Sequence, residues 1–180
     1  YTLRVREYPT AVFTVTPEII AVNDTATFNA SSSQPNGGTI IWYFWDFGDG
    51  SSLNTTEPIV THVYATIGNY TVVLTVKDDE GLEDTTAKII QVSEKPIAKF
   101  TYSPSDPYVG DSITFNATES YDPDGTVVSY TWDFGDGNVT TTTDPIITHT
   151  YSSYGNYTVT LIVVDTGGYN DTCTKTISIR

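Results

Sequence analysis

Trp45-Asp46-Phe47-Gly48-Asp49-Gly50 returns unchanged as Trp132-Asp133-Phe134-Gly135-Asp136-Gly137, so the step from 45 to 132 is 87 residues. The same step carries Phe13 to Phe100, Pro17 to Pro104, Phe28-Asn29-Ala30 to Phe115-Asn116-Ala117, Pro58 to Pro145, His62 to His149 and Tyr64 to Tyr151. It also carries Gly68-Asn69-Tyr70-Thr71-Val72 to Gly155-Asn156-Tyr157-Thr158-Val159, Asp78 to Asp165 and Gly81 to Gly168, with no gap. A fixed period of this kind is one folding unit written twice. The 180 residues therefore hold two domains, each of the size usual for a small all-β unit.

Within each copy, short runs of Thr, Val, Ile and Tyr are broken by Gly, Pro, Asn and Asp, and no stretch keeps the 3.6-residue period of a helix. The second copy reads as strands at about 97–103, 112–117, 127–134, 138–142, 146–151, 156–165 and 172–179. About seven strands per copy, with turn signals between them, predict an all-β fold of two tandem Ig-like β-sandwiches. Trp45 and Trp132 fall in the third strand, where such a sandwich buries a tryptophan. Tyr70 and Tyr157 precede Val72 and Val159 by two residues, which matches a tyrosine corner. The valines stand where antibody domains carry a cysteine, so packing replaces the disulfide.

The WDFGDG segments, the His-x-Tyr of His62-Val63-Tyr64 and His149-Thr150-Tyr151, the Gly-Asn-Tyr-Thr-Val runs and the Asp-x-x-Gly that follows closely resemble the PKD (polycystic kidney disease) domain. The resemblance covers about residues 9–180, giving one domain at 9–94 and a second at 95–180. It implies an Ig-like sandwich used in cell-surface proteins, archaeal surface-layer proteins and the accessory regions of secreted hydrolases. Residues 2–9 align with 89–96, the last strand of copy one and its junction. Residues 1–8 are thus expected to be the orphan last strand of a preceding repeat, or a donor strand that completes a sandwich in a neighbouring chain. The junction Ser93-Glu94-Lys95-Pro96 holds no Gly/Ser spacer, and Pro96 favours extended backbone, which predicts a stiff connection.

Charge and composition narrow the partners. With 22 acidic against 8 basic residues and a net charge of -14, the field repels phosphate backbones and anionic lipid, which excludes nucleic acid. No apolar run approaches the roughly 18 residues of a membrane helix, so direct membrane insertion is not expected. Cys173 is the single cysteine; it shares a strand face with Ile177 and Ile179 and reads as a small buried hydrophobe, or else as one half of an intermolecular disulfide. Eight of the nine asparagines begin N-x-Ser/Thr sequons, with Asn36 the exception. Ser and Thr make up about a quarter of the chain, so chance would give roughly two. The excess predicts a secreted, glycosylated protein at the cell surface or beyond it. Asn23, Asn54, Asn138 and Asn170 fall in expected loops and are the favoured glycan sites, ahead of Asn29, Asn69, Asn116 and Asn156 in the duplicated strands.

The paired acids of Asp-Phe-Gly-Asp-Gly could suggest an acid and a base, as in glycoside hydrolysis. A tight turn explains them better, because Gly tolerates positive φ and a short Asp accepts bonds from nearby backbone N–H groups. His62 and His149 are the only histidines, one per copy, so neither copy has a second His to complete a metal site. Neither a nucleophile elbow nor a phosphate-binding loop occurs, and no catalytic residue is expected. Calcium-binding members of the resembled family carry an Asp-x-Asp-Gly loop and an Asp after strand six. Carried over, this implies calcium at Asp122, Asp124 and Asp165 of the second copy; Pro35 and Gly37 replace the first two in copy one, leaving Asp78 and no ion.

One asymmetry concerns the third strand. With Trp45 inward, period-two alternation sends Tyr43 and Ile41 inward and Trp42 and Phe44 outward, where copy two has Ser129 and Thr131. Outward aromatics of this size mark a contact surface toward another domain, a neighbouring subunit or a glycan, unless a local loop covers them. The function expected is a structural or adhesive extracellular module, a stiff glycosylated spacer of a surface-layer or filament-forming protein whose partners are neighbouring repeats or subunits and glycans. The alternative is an accessory carbohydrate- or protein-binding module of a secreted hydrolase.

Overall fold

Short runs rich in β-branched and aromatic residues become fifteen strands and no helix among residues 6–180, the residues that the computed structural model describes. The chain divides between Ser93 and Glu94 into two compact units.

In the first unit, β1 (Thr14–Thr16), β3 (Thr25–Asn29) and β6 (Ile59–Val63) form one antiparallel sheet in the order β1-β3-β6. The facing sheet runs β2-β8-β7-β4-β5, with β2 (Ile20–Ala21), β4 (Ile40–Asp46), β5 (Ser52–Thr55), β7 (Gly68–Asp78) and β8 (Glu83–Ser93). The second unit pairs β9 (Thr101–Ser103), β10 (Ile113–Asn116) and β13 (Ile146–His149) in one sheet, and β12 (Val139–Thr142), β11 (Val127–Asp133), β14 (Gly155–Asp165) and β15 (Asn170–Ile179) in the other. The eighth strand of the first unit is the two-residue β2, parallel to the end of β8. Its counterpart makes the same kind of edge contact, Arg180 N–H to Pro107 O at 3.0 Å and Val109 N–H to Arg180 O at 2.9 Å.

Each core is a set of rings between the sheets. Trp45 and Trp132 are fully buried. Phe13 meets Trp45 edge-on at 5.2 Å and 80°, and Phe100 meets Trp132 at the same distance and angle. One packing solution is therefore encoded twice, with offset and edge-to-face pairs preferred by the ring quadrupoles. Val72 and Val159 are fully buried and occupy the disulfide position by packing alone. Cys173 is half-buried against the second core, opposite Leu161.

One expectation changes. The strand predicted over 97–103 is regular only at 101–103, because side chains take over the backbone bonds before it. Ala98 N–H donates to Asp171 Oδ2 at 2.8 Å, Lys99 N–H donates to Ser120 Oγ at 2.9 Å, and the Ser120 hydroxyl donates back to Lys99 O at 2.8 Å. The first unit repeats this with Asp84 and Ser33. The orphan or donor strand at 1–8 lies mostly outside the described residues; those described, 6–8, form no strand.

Candidate functional site

The duplicated motif folds into a closed corner. Asp46 Oδ1 accepts the Gly48 N–H at 2.9 Å, an Asx turn that Asp133 and Gly135 reproduce at 2.9 Å. Gly48 takes φ 79°, and a Cβ there would stand 2.6 Å from Thr71 O, so no side chain fits. Asp49 Oδ1 accepts from Ser51 N at 2.9 Å and Ser51 Oγ at 2.6 Å, while its Oδ2 meets His62 Nε2 at 2.7 Å. The imidazole lies flat on Phe47, 4.1 Å between centroids and 8° between planes, and edge-on to Tyr64. The Tyr64 hydroxyl, buried, donates to Phe47 O at 3.1 Å. In the second unit Asp136, His149, Phe134 and Tyr151 repeat the arrangement.

The electrostatics follow from these contacts. Burial pushes the Asp49 carboxyl up, but hydrogen bonds from Ser51 and His62 and the His62 charge outweigh it and hold the group at about 2. Asp136 is lowered in the same way: burial opposes, and bonds from His149 and Asn138 prevail. Burial, reinforced by the charges of Asp49 and Asp136, raises the Tyr64 and Tyr151 phenols, so both remain protonated donors. Acid, imidazole and phenol are thus committed to one another and to the backbone. They shape a corner and present no pair of groups to a substrate.

Tyr70 and Tyr157 form the expected tyrosine corners, their hydroxyls donating four residues back to Thr66 O at 2.8 Å and Ser153 O at 3.1 Å.

The residues expected to hold calcium have separate occupations. Asp165 Oδ1 accepts the Tyr169 N–H at 2.9 Å and so caps the β14–β15 hairpin, as Asp78 Oδ1 does for Glu80 and Leu82 in the first unit. Both carboxylate oxygens of Asp124 accept from the Glu94 N–H at 3.2 Å. Asp122 Oδ1 accepts the Asp124 N–H at 3.3 Å, and its Oδ2 lies over Gly125. Among the described residues no group of three His, Cys, Asp or Glu side chains is gathered as a metal site. The three acids do sense one another: burial first, then the charges of Asp124 and Asp165, pushes the Asp122 carboxyl up. Sequence reasoning passed over a substitution here. In the first unit the carboxylate over the equivalent Gly38 comes from the opposite loop, Asp79, whose Oδ1 also accepts the Thr39 N–H at 3.2 Å.

The outer face of the first unit is aromatic as expected. Trp42 and Phe44 lie on the side of β4 away from Trp45, half-buried, with rings 5.9 Å apart and 8° from parallel. Ile41, expected inward, is 48% exposed. A bulge between Ile40 and Trp42 in the pairing with β7 resets the alternation, and Ile40 packs on the core instead. A shallow groove lined by Ile41, Trp42, Lys77 and Glu83 flanks the pair, with Lys77 Nζ and Glu83 Oε1 2.9 Å apart.

The sequons sort by structure more than by the expected loops. Asn23, Asn54, Asn138 and Asn170 are exposed, but Asn54 lies within β5 and Asn170 opens β15. Asn69 and Asn156 are exposed as well, on β7 and β14. Only Asn29 and Asn116 are half-buried, their Oδ1 atoms capping Ser31 N at 2.9 Å and Thr118 N at 2.8 Å.

Known proteins agree with the architecture. The profile of the PKD domain matches residues 6–92 and again 93–180. The chain is 32% identical over 160 residues to the pre-pro-metalloprotease PrtV of Vibrio cholerae, covering 89% of this chain and 17% of that protein. It is 51% identical over 71 residues to a microbial collagenase of Vibrio alginolyticus, covering 39% of this chain and 8% of that protein. The chain thus spans less than a fifth of either relative. The fibronectin(III)-like modules of Clostridium thermocellum CbhA superpose with a TM-score of 0.58 at 18% identity, covering 93% of both chains, which shows a shared fold. The module is extracellular, in keeping with its collagenase and metalloprotease relatives. Among the described residues no helix is long and apolar enough to cross a membrane.

Proposed function

This chain belongs to the PKD domain family, and from that premise we propose that it serves as a non-catalytic accessory module of a secreted hydrolase, of the collagenase or metalloprotease kind. One observation carries the reading. In both units the acids and the histidine of the duplicated motif are spent on building a corner, Asp49 on Ser51 and His62, Asp136 on Asn138 and His149. What remains for function is surface, supplied to a catalytic domain elsewhere in a longer protein. Kinship with collagenases and a metalloprotease favours this role over a spacer in a surface layer or filament. The partners are then the neighbouring domains of the same protein, and glycans.

The test is a deletion of this segment from the parent hydrolase. Turnover of a short soluble peptide is expected to stay unchanged while activity on an insoluble protein substrate falls. Equal loss on both substrates would make the segment part of the catalytic fold and overturn the proposal, as would no loss on either.

A further inference from the structure

The aromatic pair on the outer face of the first unit has a specific neighbour. In the pairing of β4 with β5, Phe44 stands directly opposite Asn54. Opposite residues of an antiparallel pair point to the same side, with Cβ atoms about 4.5–5.5 Å apart. Asn54 is exposed, begins the sequon Asn54-Thr55-Thr56, and among the described residues its carboxamide has no hydrogen-bond partner. Thr56 is exposed too, so both the asparagine and the hydroxyl residue of the sequon are accessible.

The second unit supplies the control. Stepping 87 residues turns Asn54, Phe44 and Trp42 into Thr141, Thr131 and Ser129. There the two threonines face each other in the same register and close the row with a 2.9 Å hydroxyl bond. In the first unit both members of that pair differ: a sequon asparagine stands for one and a ring for the other, with a second ring beside it. Where the second unit has a hydroxyl pair that satisfies itself, the first has a sequon asparagine beside two half-buried rings.

We propose that an N-linked glycan on Asn54 lies across Phe44 and Trp42 and is the covering of that face. The proposal does not depend on which catalytic domain the module accompanies. Attachment joins Asn54 Nδ2 to C1 of the first sugar of a lipid-linked oligosaccharide; the C1–O bond to the lipid phosphate breaks, the phosphate leaves with the electron pair, and the amide gives up one proton. The C–H face of a pyranose is apolar and flat, so seating it on the two rings removes hydrocarbon surface from water on both sides. The outward hydroxyls of Thr75 and Thr85, already bonded to each other at 2.9 Å, continue the row beyond Phe44 with polar surface suited to the distal sugars.

Tryptophan emission reads this directly. Trp45 and Trp132 are both 0% exposed, so acrylamide quenching reports on Trp42. The chain should be expressed in a host that glycosylates N-x-Ser/Thr sequons, with occupancy measured by glycopeptide mass spectrometry. The wild type is compared with T56A, which keeps Asn54 but cannot be modified, and with the double variant W42S/F44T, which installs the residues of the second unit. Occupied Asn54 is expected to leave Trp42 poorly quenched; T56A should raise quenching about twofold and lower the melting temperature by about 4 °C. In W42S/F44T, adding T56A should leave the melting temperature unchanged. The inference fails if Asn54 stays unmodified while Asn23 and Asn138 of the same chains carry glycan. It also fails if wild type and T56A quench alike, or if Trp42 of T56A becomes protected as protein concentration rises, which would give the face to a second copy.

Discussion

Nε2 of His62 meets Oδ2 of Asp49 at 2.7 Å, and His149 meets Asp136 at 2.8 Å in the second unit, each pair bridging the corner turn to β6 or β13. Asp49 titrates at about 2 in the fold, below the ordinary value of 3.8. The unfolded chain therefore takes up its proton first, and the contribution of Asp49 is fully present above pH 4. It is lost as pH falls from about 4 to about 2, and the Asp136 carboxyl is lowered in the same direction. D49N is expected to cost on the order of 1 to 2 kcal/mol at pH 7 and much less at pH 2, after allowing for solvent screening of a partly exposed pair. Urea unfolding at the two pH values measures the difference.

Removing the buried phenol hydroxyl tests the corner from its other side. Y64F strands Phe47 O, and Y151F strands Phe134 O, both in the interior. Each is expected to cost about 1 to 2 kcal/mol, seen as a lower urea midpoint with an unchanged slope.

Two glycines in one turn should respond differently to alanine. At Gly48 both the positive φ and the 2.6 Å approach to Thr71 O oppose a methyl, and roughly 3 kcal/mol or more should be lost. Gly50 also has positive φ, 92°, but open space around it, so G50A should cost only about 1 kcal/mol. Thermal melts of the two single variants give the ratio.

Asp122 should behave in the opposite sense to Asp49. Its folded carboxyl titrates above the ordinary value, through burial and then the charges of Asp124 and Asp165, so it favours the fold most below about pH 4 and loses that contribution as pH rises. D122N is therefore expected to raise the melting temperature at pH 7 in chelator, and to lose the advantage near pH 3. A calcium-dependent rise in wild-type melting that D122N abolishes is the result by which an ion at Asp122, Asp124 and Asp165 would be recognised.

The linear order of residues determined the duplication, the fate of Trp45, Trp132, Val72 and Val159, and the Asx and glycine chemistry of the corner, because these depend on local periodicity and on backbone preferences carried by single residues. It also placed Trp42 and Phe44 outward. Tertiary structure alone decided that Ile41 turns to solvent, since a bulge is a mismatch between β4 and β7, strands more than twenty residues apart. It decided that Asn54 lies in a strand facing Phe44, a matter of register between two strands and not of composition. It likewise decided that Asp79, from across the sandwich end, takes the place over Gly38 that Asp122 takes over Gly125. Side chains that converge from distant segments leave no periodic trace along the chain, and only the pairing of strands brings them together.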